Sequence, residues 1–205
     1  MRSLETPLRK GKQLRVIGFD DAPFDKLLKK KVAKTSEGDQ AVNLAGIVCS
    51  NTRFEGMLWD SVTHDGMDAT EVIARMVAAS KFHAQLNMVL TDGITVAGFN
   101  MIDIAALSET LQVPCVAVMR KLPDLESFFH AMDNVDNKQQ RVDIAKKAGE
   151  IFSLGRFHFQ VAGCPPEMAA EALERVTDNG DVPEALRLAH FIGAAVETGE
   201  SSNRA

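Results

Sequence analysis

The stretch Leu14-Arg-Val-Ile-Gly-Phe-Asp20-Asp21-Ala22-Pro23 decides the fold. A continuous apolar run of this length is what a strand covered on both faces requires, and the Asp-Asp-Ala-Pro that follows stops it in a turn. Two further β-rich runs occupy 41–50 and 53–62, with only a few residues near Ser50 to Thr52 between them. That spacing leaves room for a hairpin and for nothing helical, so the pair is antiparallel. From there strands alternate with helices. The pattern predicts helices at 68–82, 101–111, 124–132, 138–153, 166–178 and 182–198, and strands at 86–91, 113–119 and 156–161. Helical connections return the chain in the same direction, so the strands at 86–91 and 113–119 are expected parallel to the first. The expected architecture is α/β: a mixed sheet, with an antiparallel three-strand meander plus parallel strands, and helices on its faces.

Local signals support the helix starts. Asp68-Ala-Thr-Glu71 has the form of a capping box, and Asp181-Val-Pro-Glu184 combines a capping residue, an early proline and a reciprocal glutamate. No internal repeat or linker interrupts the 205 residues, of which 45% are apolar and 25% charged, and one domain spanning 1–205 is expected. Cys49, Cys115 and Cys164 are odd in number and never paired as Cys-x-x-Cys, which argues against a disulfide framework and a zinc cluster. The first ten residues carry positive charge without an apolar segment behind it, and no apolar run has the length of a spanning helix. These features predict a cytoplasmic protein with reduced thiols and no membrane association.

The net charge of −5 disfavours an indiscriminate nucleic-acid binder, but the charge is unevenly spread. Residues 1–34 hold ten Lys/Arg and four Asp/Glu, so a phosphate-facing surface would involve Lys26, Lys29, Lys30, Lys31 and Lys34. A solvated basic loop is the simpler explanation of the same residues.

In open α/β sheets ligands bind beyond the carboxyl ends of strands. Asp20 ends the first strand and Asp92 ends the fourth; on parallel neighbours their carboxylates would converge. Two close carboxylates are most readily held by a hard divalent cation, with magnesium (or manganese) the natural candidate. The competing explanation is that strand-end aspartates merely open turns, as Asp92-Gly93 would. Asp21 points to the opposite face from Asp20 and is expected outside the site. Gly93-Ile-Thr-Val-Ala-Gly98 lacks the Lys and Ser/Thr of a phosphate loop. His64, His83, His130, His158 and His190 show no helical zinc spacing.

Three stretches carry a family resemblance: Ile17-Gly-Phe-Asp-Asp-Ala-Pro-Phe24, Thr91-Asp-Gly-Ile-Thr-Val-Ala-Gly-Phe-Asn-Met-Ile-Asp103, and Val182-Pro-Glu-Ala-Leu-Arg-Leu-Ala-His-Phe-Ile192 with Gly199-Glu-Ser201. Together they resemble the family called domain of unknown function 99, a relative of endonuclease V, over nearly the whole chain. The resemblance implies a ribonuclease H-like fold and a metal-dependent nuclease acting on DNA or RNA phosphodiesters, with deaminated or modified nucleotides as candidate substrates. It implies that Asp20 and Asp92 ligate magnesium. The glutamate of the endonuclease V Phe-Arg-Glu motif has no counterpart here; the nearest acids are Asp65 and Asp68, of which Asp65 is preferred because Asp68 has a helix to cap. Arg120 or Lys121, with Lys121 taken as the contact, would position the scissile phosphate. His190 resembles a late helical histidine near the active site and shares a helix face with Arg187. The Pro-Tyr-x-Pro wedge of endonuclease V is missing, as is tyrosine altogether. The rival expectation is a nucleic-acid-binding or assembly protein that keeps the fold without turnover.

Overall fold

The computed structural model describes residues 1–24 and 40–202. The lysines at 26, 29, 30, 31 and 34, expected to form a phosphate-facing surface, lie outside the described residues. The main sheet is built from β1 (Arg15–Asp21), β2 (Ala41–Ser50), β3 (Arg53–Thr63), β4 (Met88–Asp92), β7 (Cys115–Met119), β8 (Phe152–Leu154) and β9 (Phe157–Ala162), in the order β3-β2-β1-β4-β7-β9-β8. β1, β2 and β3 form the expected antiparallel meander, and β4 and β7 run parallel to β1. Past β7 the sheet turns antiparallel again through β9 and β8. A second ribbon, β5 (Thr95–Val96) with β6 (Asn100–Met101), follows β4 directly.

Seven α-helices accompany these strands among the described residues: α1 (Glu5–Arg9), α2 (Ala69–Ala78), α3 (Ile104–Leu111), α4 (Leu125–Ala131), α5 (Lys138–Lys147), α6 (Pro166–Arg175) and α7 (Glu184–Thr198). Strand alternation sorts the core into two layers. Ile17, Phe19 and Val89 pack beneath α2 and α3, whereas Val16, Met88, Leu90 and Val118 pack beneath α6 and α7. The central strands are buried on both faces, which is why they read as unbroken apolar runs. None of the described helices is long and apolar enough to cross a membrane.

Three local expectations fail for identifiable reasons. The segment expected to be helical to 153 leaves the helix at Lys147, turns through Gly149 at φ 82°, and enters β8. Asp68 precedes α2 but makes no capping bond. Its carboxylate instead accepts the Thr63 N–H and hydroxyl and the Asn100 amide. Asp181 likewise stands outside α7, whose first residue is Glu184, after Pro183.

Candidate active site

The site begins with how closely α7 lies on β1. A Cβ placed on Gly18 would stand 2.8 Å from both the Ala185 carbonyl carbon and the Leu186 nitrogen, so only glycine lets the helix backbone touch the strand. Gly193 makes a similar approach to Ala22, where a Cβ would sit 3.1 Å from the Ala22 Cα. Held at both points, α7 presents His190 to the end of β1. There His190 Nδ1 lies 2.9 Å from Asp20 Oδ2, with Asp20 only 6% exposed.

β4 brings Asp92 to the same place. Phe19 pairs with Thr91, so Asp20 and Asp92 are the next residues out on adjacent parallel strands, on the face toward α7. Neighbouring strands are about 4.8 Å apart. Two carboxylates on adjacent strand ends repel, and Asp92 is held above the ordinary carboxylate range by burial first and by the charge of Asp20 second. The Arg120 guanidinium, donating to Asp92 Oδ2 at 2.8 Å, offsets part of this. The His190 imidazole is raised, chiefly by its hydrogen bond to Asp20.

Of the cations at 120 and 121, Arg120 is thus the one that reaches Asp92, and Lys121 is exposed. Alternation explains this placement: Val118 opposes Asp92 in the β4–β7 register, and Arg120, two residues on, returns to the same face.

Asp21 points away from α7, as alternation requires, and its carboxylate accepts the Ala97 N–H. Even so it belongs to the same electrostatic cluster. Burial, then Asp20, push it up to about 6, with a smaller contribution from Asp92. Sequence reasoning placed its direction correctly and missed this coupling, which acts through a thin, buried strand end.

Asp65 is engaged by neighbours of its own. Its carboxylate accepts the Phe99 N–H at 2.9 Å and stands 3.3 Å from His64 Nδ1, while its own N–H donates to Ala97 O. Fully buried Arg141 ties the region together by donating to the carbonyls of Asp65, Gly66, Phe99 and Asp136. Asp68, the other acid considered, is taken up by Thr63 and Asn100. Among the described residues no three His, Cys, Asp or Glu side chains form a cluster able to hold an ion, so the set Asp20, Asp92 and Asp65 is not assembled. Arg187, although on the helix of His190, is engaged by both Glu184 oxygens at 2.6 and 2.7 Å and lies over the Phe191 ring.

Cysteine chemistry does not contribute. All three thiols are free, and burial pushes Cys49 up to about 12 and Cys164 to about 11, with Cys115 also raised. A thiol this basic supplies little thiolate at neutral pH.

The chain matches the model of the endonuclease dU family over residues 12–197. It belongs to that family. The UPF0215 protein MK0057 of Methanopyrus kandleri is 36% identical over 199 residues, covering 94% of this chain and 96% of the relative. A crystal structure of a protein of unknown function from Archaeoglobus fulgidus superposes with a TM-score of 0.80 at 34% identity, covering 89% of this chain and 98% of that one. The endonuclease V of Ciona intestinalis, solved with a DNA containing an inosine followed by a ribo-adenosine, superposes with a TM-score of 0.53 at 15% identity, covering 87% and 84%. The endonuclease dU family chain described here therefore shares its mixed α/β fold with endonuclease V.

Proposed function

We propose that this chain is a metal-dependent nuclease that hydrolyses DNA or RNA phosphodiesters, with deaminated nucleotides as its preferred targets, on a ribonuclease H-like sheet. The observation that carries the reading is the pairing of Asp20 and Asp92 at the carboxyl ends of adjacent parallel strands, flanked by His190 and Arg120. The fold shared with endonuclease V and the family description agree with it.

The donor set fits magnesium or manganese. Two carboxylates offer hard oxygens, and magnesium is commonly held by one or two carboxylates with substrate phosphate and water completing its shell, so a third protein acid is not required. Such an ion, when bound, would polarise a phosphoryl oxygen and acidify water. Asp20 and Asp92 would hold it. His190 fixes the orientation of the Asp20 carboxylate through Nδ1, leaving its other ring nitrogen to orient water or a substrate oxygen. Arg120 presents a planar fork of donors beside Asp92 and suits a non-bridging phosphate oxygen. Reduced thiols in a cytoplasmic setting agree with three free cysteines.

A second reading, a nucleic-acid-binding protein without turnover, is favoured by the lack, among the described residues, of a cluster of three possible metal-ligating side chains. One experiment separates the two. Single- and double-stranded oligonucleotides containing deoxyuridine, deoxyinosine or only ordinary bases are incubated with the protein in magnesium, manganese or chelator. The nuclease reading expects strand scission that the chelator abolishes. Tight binding without scission in either metal would leave the second reading standing.

A further inference from the structure

β3 is the outer strand of the main sheet on its meander side, and among the described residues no strand pairs with its far edge. One hydrogen bond fixes the direction of its main-chain groups. The His64 N–H donates to Gln40 O, continuing the register in which Thr63 opposes Ala41. Residues along an antiparallel pair alternate in hydrogen bonding. Gly56, Leu58, Asp60 and Val62 therefore direct N–H and C=O toward β2, and Met57, Trp59 and Ser61 direct theirs outward. The Ser61 N–H agrees, donating to the Asp60 carboxylate at 2.9 Å. The side chains are laid out as consistently. Phe54, Met57 and Trp59 oppose Cys49, Ile47 and Ala45, which belong to the layer beneath α6 and α7. α7 packs on β1 and β2, and this row on β3 remains 49%, 40% and 36% exposed. Proteins commonly guard such an edge with lysine, proline or a bulge. From Gly56 to Thr63 there is neither lysine nor proline, and the register shift of this pair lies beyond, at Val48/Cys49. The one charged residue of that stretch, Asp60, is held by Arg75 at 3.0 Å.

We propose that a second copy of this chain pairs with β3 edge to edge, antiparallel, about a two-fold axis through Leu58. In that register Met57 of each copy lies opposite the partner's Trp59, so the outward main-chain groups of both residues meet and their apolar side chains form one cluster of four. Leu58 faces the partner's Leu58 on the other side of the sheet. Gly56 faces the partner's Asp60, which leaves room for the Arg75 bridge and brings no like charges together. Centring the axis on Met57 would instead set Trp59 against the partner's Glu55, and centring it on Trp59 would set Met57 against the partner's Ser61. The edge is thus self-complementary about Leu58, as an interface between identical copies requires. The contact is smaller than the roughly 800 Å² per partner of a standard interface, so the pair is reversible. Because β1 is antiparallel to β2 and β2 to β3, the two copies present Asp20 at opposite ends of the joined sheet. Neither site borrows a residue from the other, so the inference stands apart from the nuclease reading.

Trp59 is the single tryptophan of the chain, so its emission reports this edge directly. Sedimentation velocity and tryptophan emission are measured on the full chain from about 1 µM to about 1 mM, the span in which weak association is half complete. The mass should rise toward that of a dimer, and the emission should move to shorter wavelength over the same concentrations as Trp59 leaves water. Met57→Lys, at an exposed position that leaves the fold intact, should stay monomeric with constant emission. Leu58→Cys should give, on mild oxidation, a covalent dimer linked from 58 to 58. Opposed residues of a non-hydrogen-bonded antiparallel pair have Cα atoms about 4.5 Å apart, within disulfide reach. Ser61→Cys, whose copies lie far apart in this register, should not cross-link. A chain that stays monomeric to the highest concentration would overturn the proposal. So would a dimer that survives Met57→Lys while Trp59 emission is unchanged, because its contact would lie on another surface. Emission that ignores concentration but shifts on adding a single-stranded oligonucleotide would likewise overturn self-pairing and give this face to nucleic acid.

Discussion

Replacing Gly18 with alanine is the sharpest test of how the site is built. The added Cβ would stand 2.8 Å from two backbone atoms of α7, against 3.4 Å or more for ordinary contact, so the helix has to lift by about 0.6 Å. Backbone atoms cannot rotate aside as a side chain can, and overpacking of this kind costs about 1–3 kcal/mol. Reduced freedom of the unfolded chain returns roughly 0.4–1 kcal/mol, leaving a net loss of about 1–2 kcal/mol. The same lift acts on His190: its 2.9 Å contact with Asp20 would stretch to about 3.5 Å, outside hydrogen-bond range. Urea unfolding gives the stability change, and NMR titration of His190 gives the contact. The variant should be less stable, and the His190 pKa should fall back toward the ordinary histidine value. A variant as stable as wild type, with His190 titrating as before, would refute the seating of α7 on Gly18.

Further outcomes follow from the same geometry. Asp21, raised from 3.8 to about 6, binds a proton more tightly folded than unfolded, so its contribution to stability declines as pH rises through that interval, by about 3 kcal/mol at roughly 1.4 kcal/mol per unit. His190, also raised, adds stability at low pH that is lost as pH climbs through its folded value. The metal-free protein should therefore melt at lower temperature at pH 7.5 than at pH 5, and a melting temperature that rises over that range would contradict both assignments. Arg120→Met should slow cleavage about 100-fold, the usual effect of removing one charge-stabilising donor, while Lys121→Ala leaves the rate unchanged; equal losses in single-turnover rates would contradict the difference in their placement. Asp103 caps α3 by accepting the Ala106 N–H at 2.8 Å, so Asp103→Ala should cost about 1 kcal/mol in urea unfolding without changing cleavage.

Much of the sheet was legible because its signals are local. The apolar run before Asp20, the two-residue gap between β2 and β3, and the alternation after residue 68 each constrain direction as well as type. What escaped was short or tertiary. β8 has three residues and β5 and β6 two each, too few to show a period. Asp68 had the right spacing for a capping box, but Thr63 and Asn100 offered its carboxylate three donors, which outweigh one helical N–H. In the site, the pairing of Asp20 with Asp92 follows from strand order, and the choice of Arg120 over Lys121 was available by counting alternate residues from Val118. The engagement of Asp65 by Phe99 and His64 had no signal in sequence, because it depends on the β5–β6 ribbon folding back toward residue 65.

The central claim is that Asp92 does chemistry through a bound cation, and single-turnover strand cleavage by wild type and Asp92→Asn measures it most directly. Both proteins are first shown by circular dichroism to be folded, then given the same substrate in magnesium and in manganese. Removing the charge that holds the cation should remove several kcal/mol of transition-state stabilisation, a loss exceeding about 100-fold, whereas His190→Ala, which removes a group that orients, should lose less. Cleavage by Asp92→Asn at the wild-type rate would contradict the proposed mechanism.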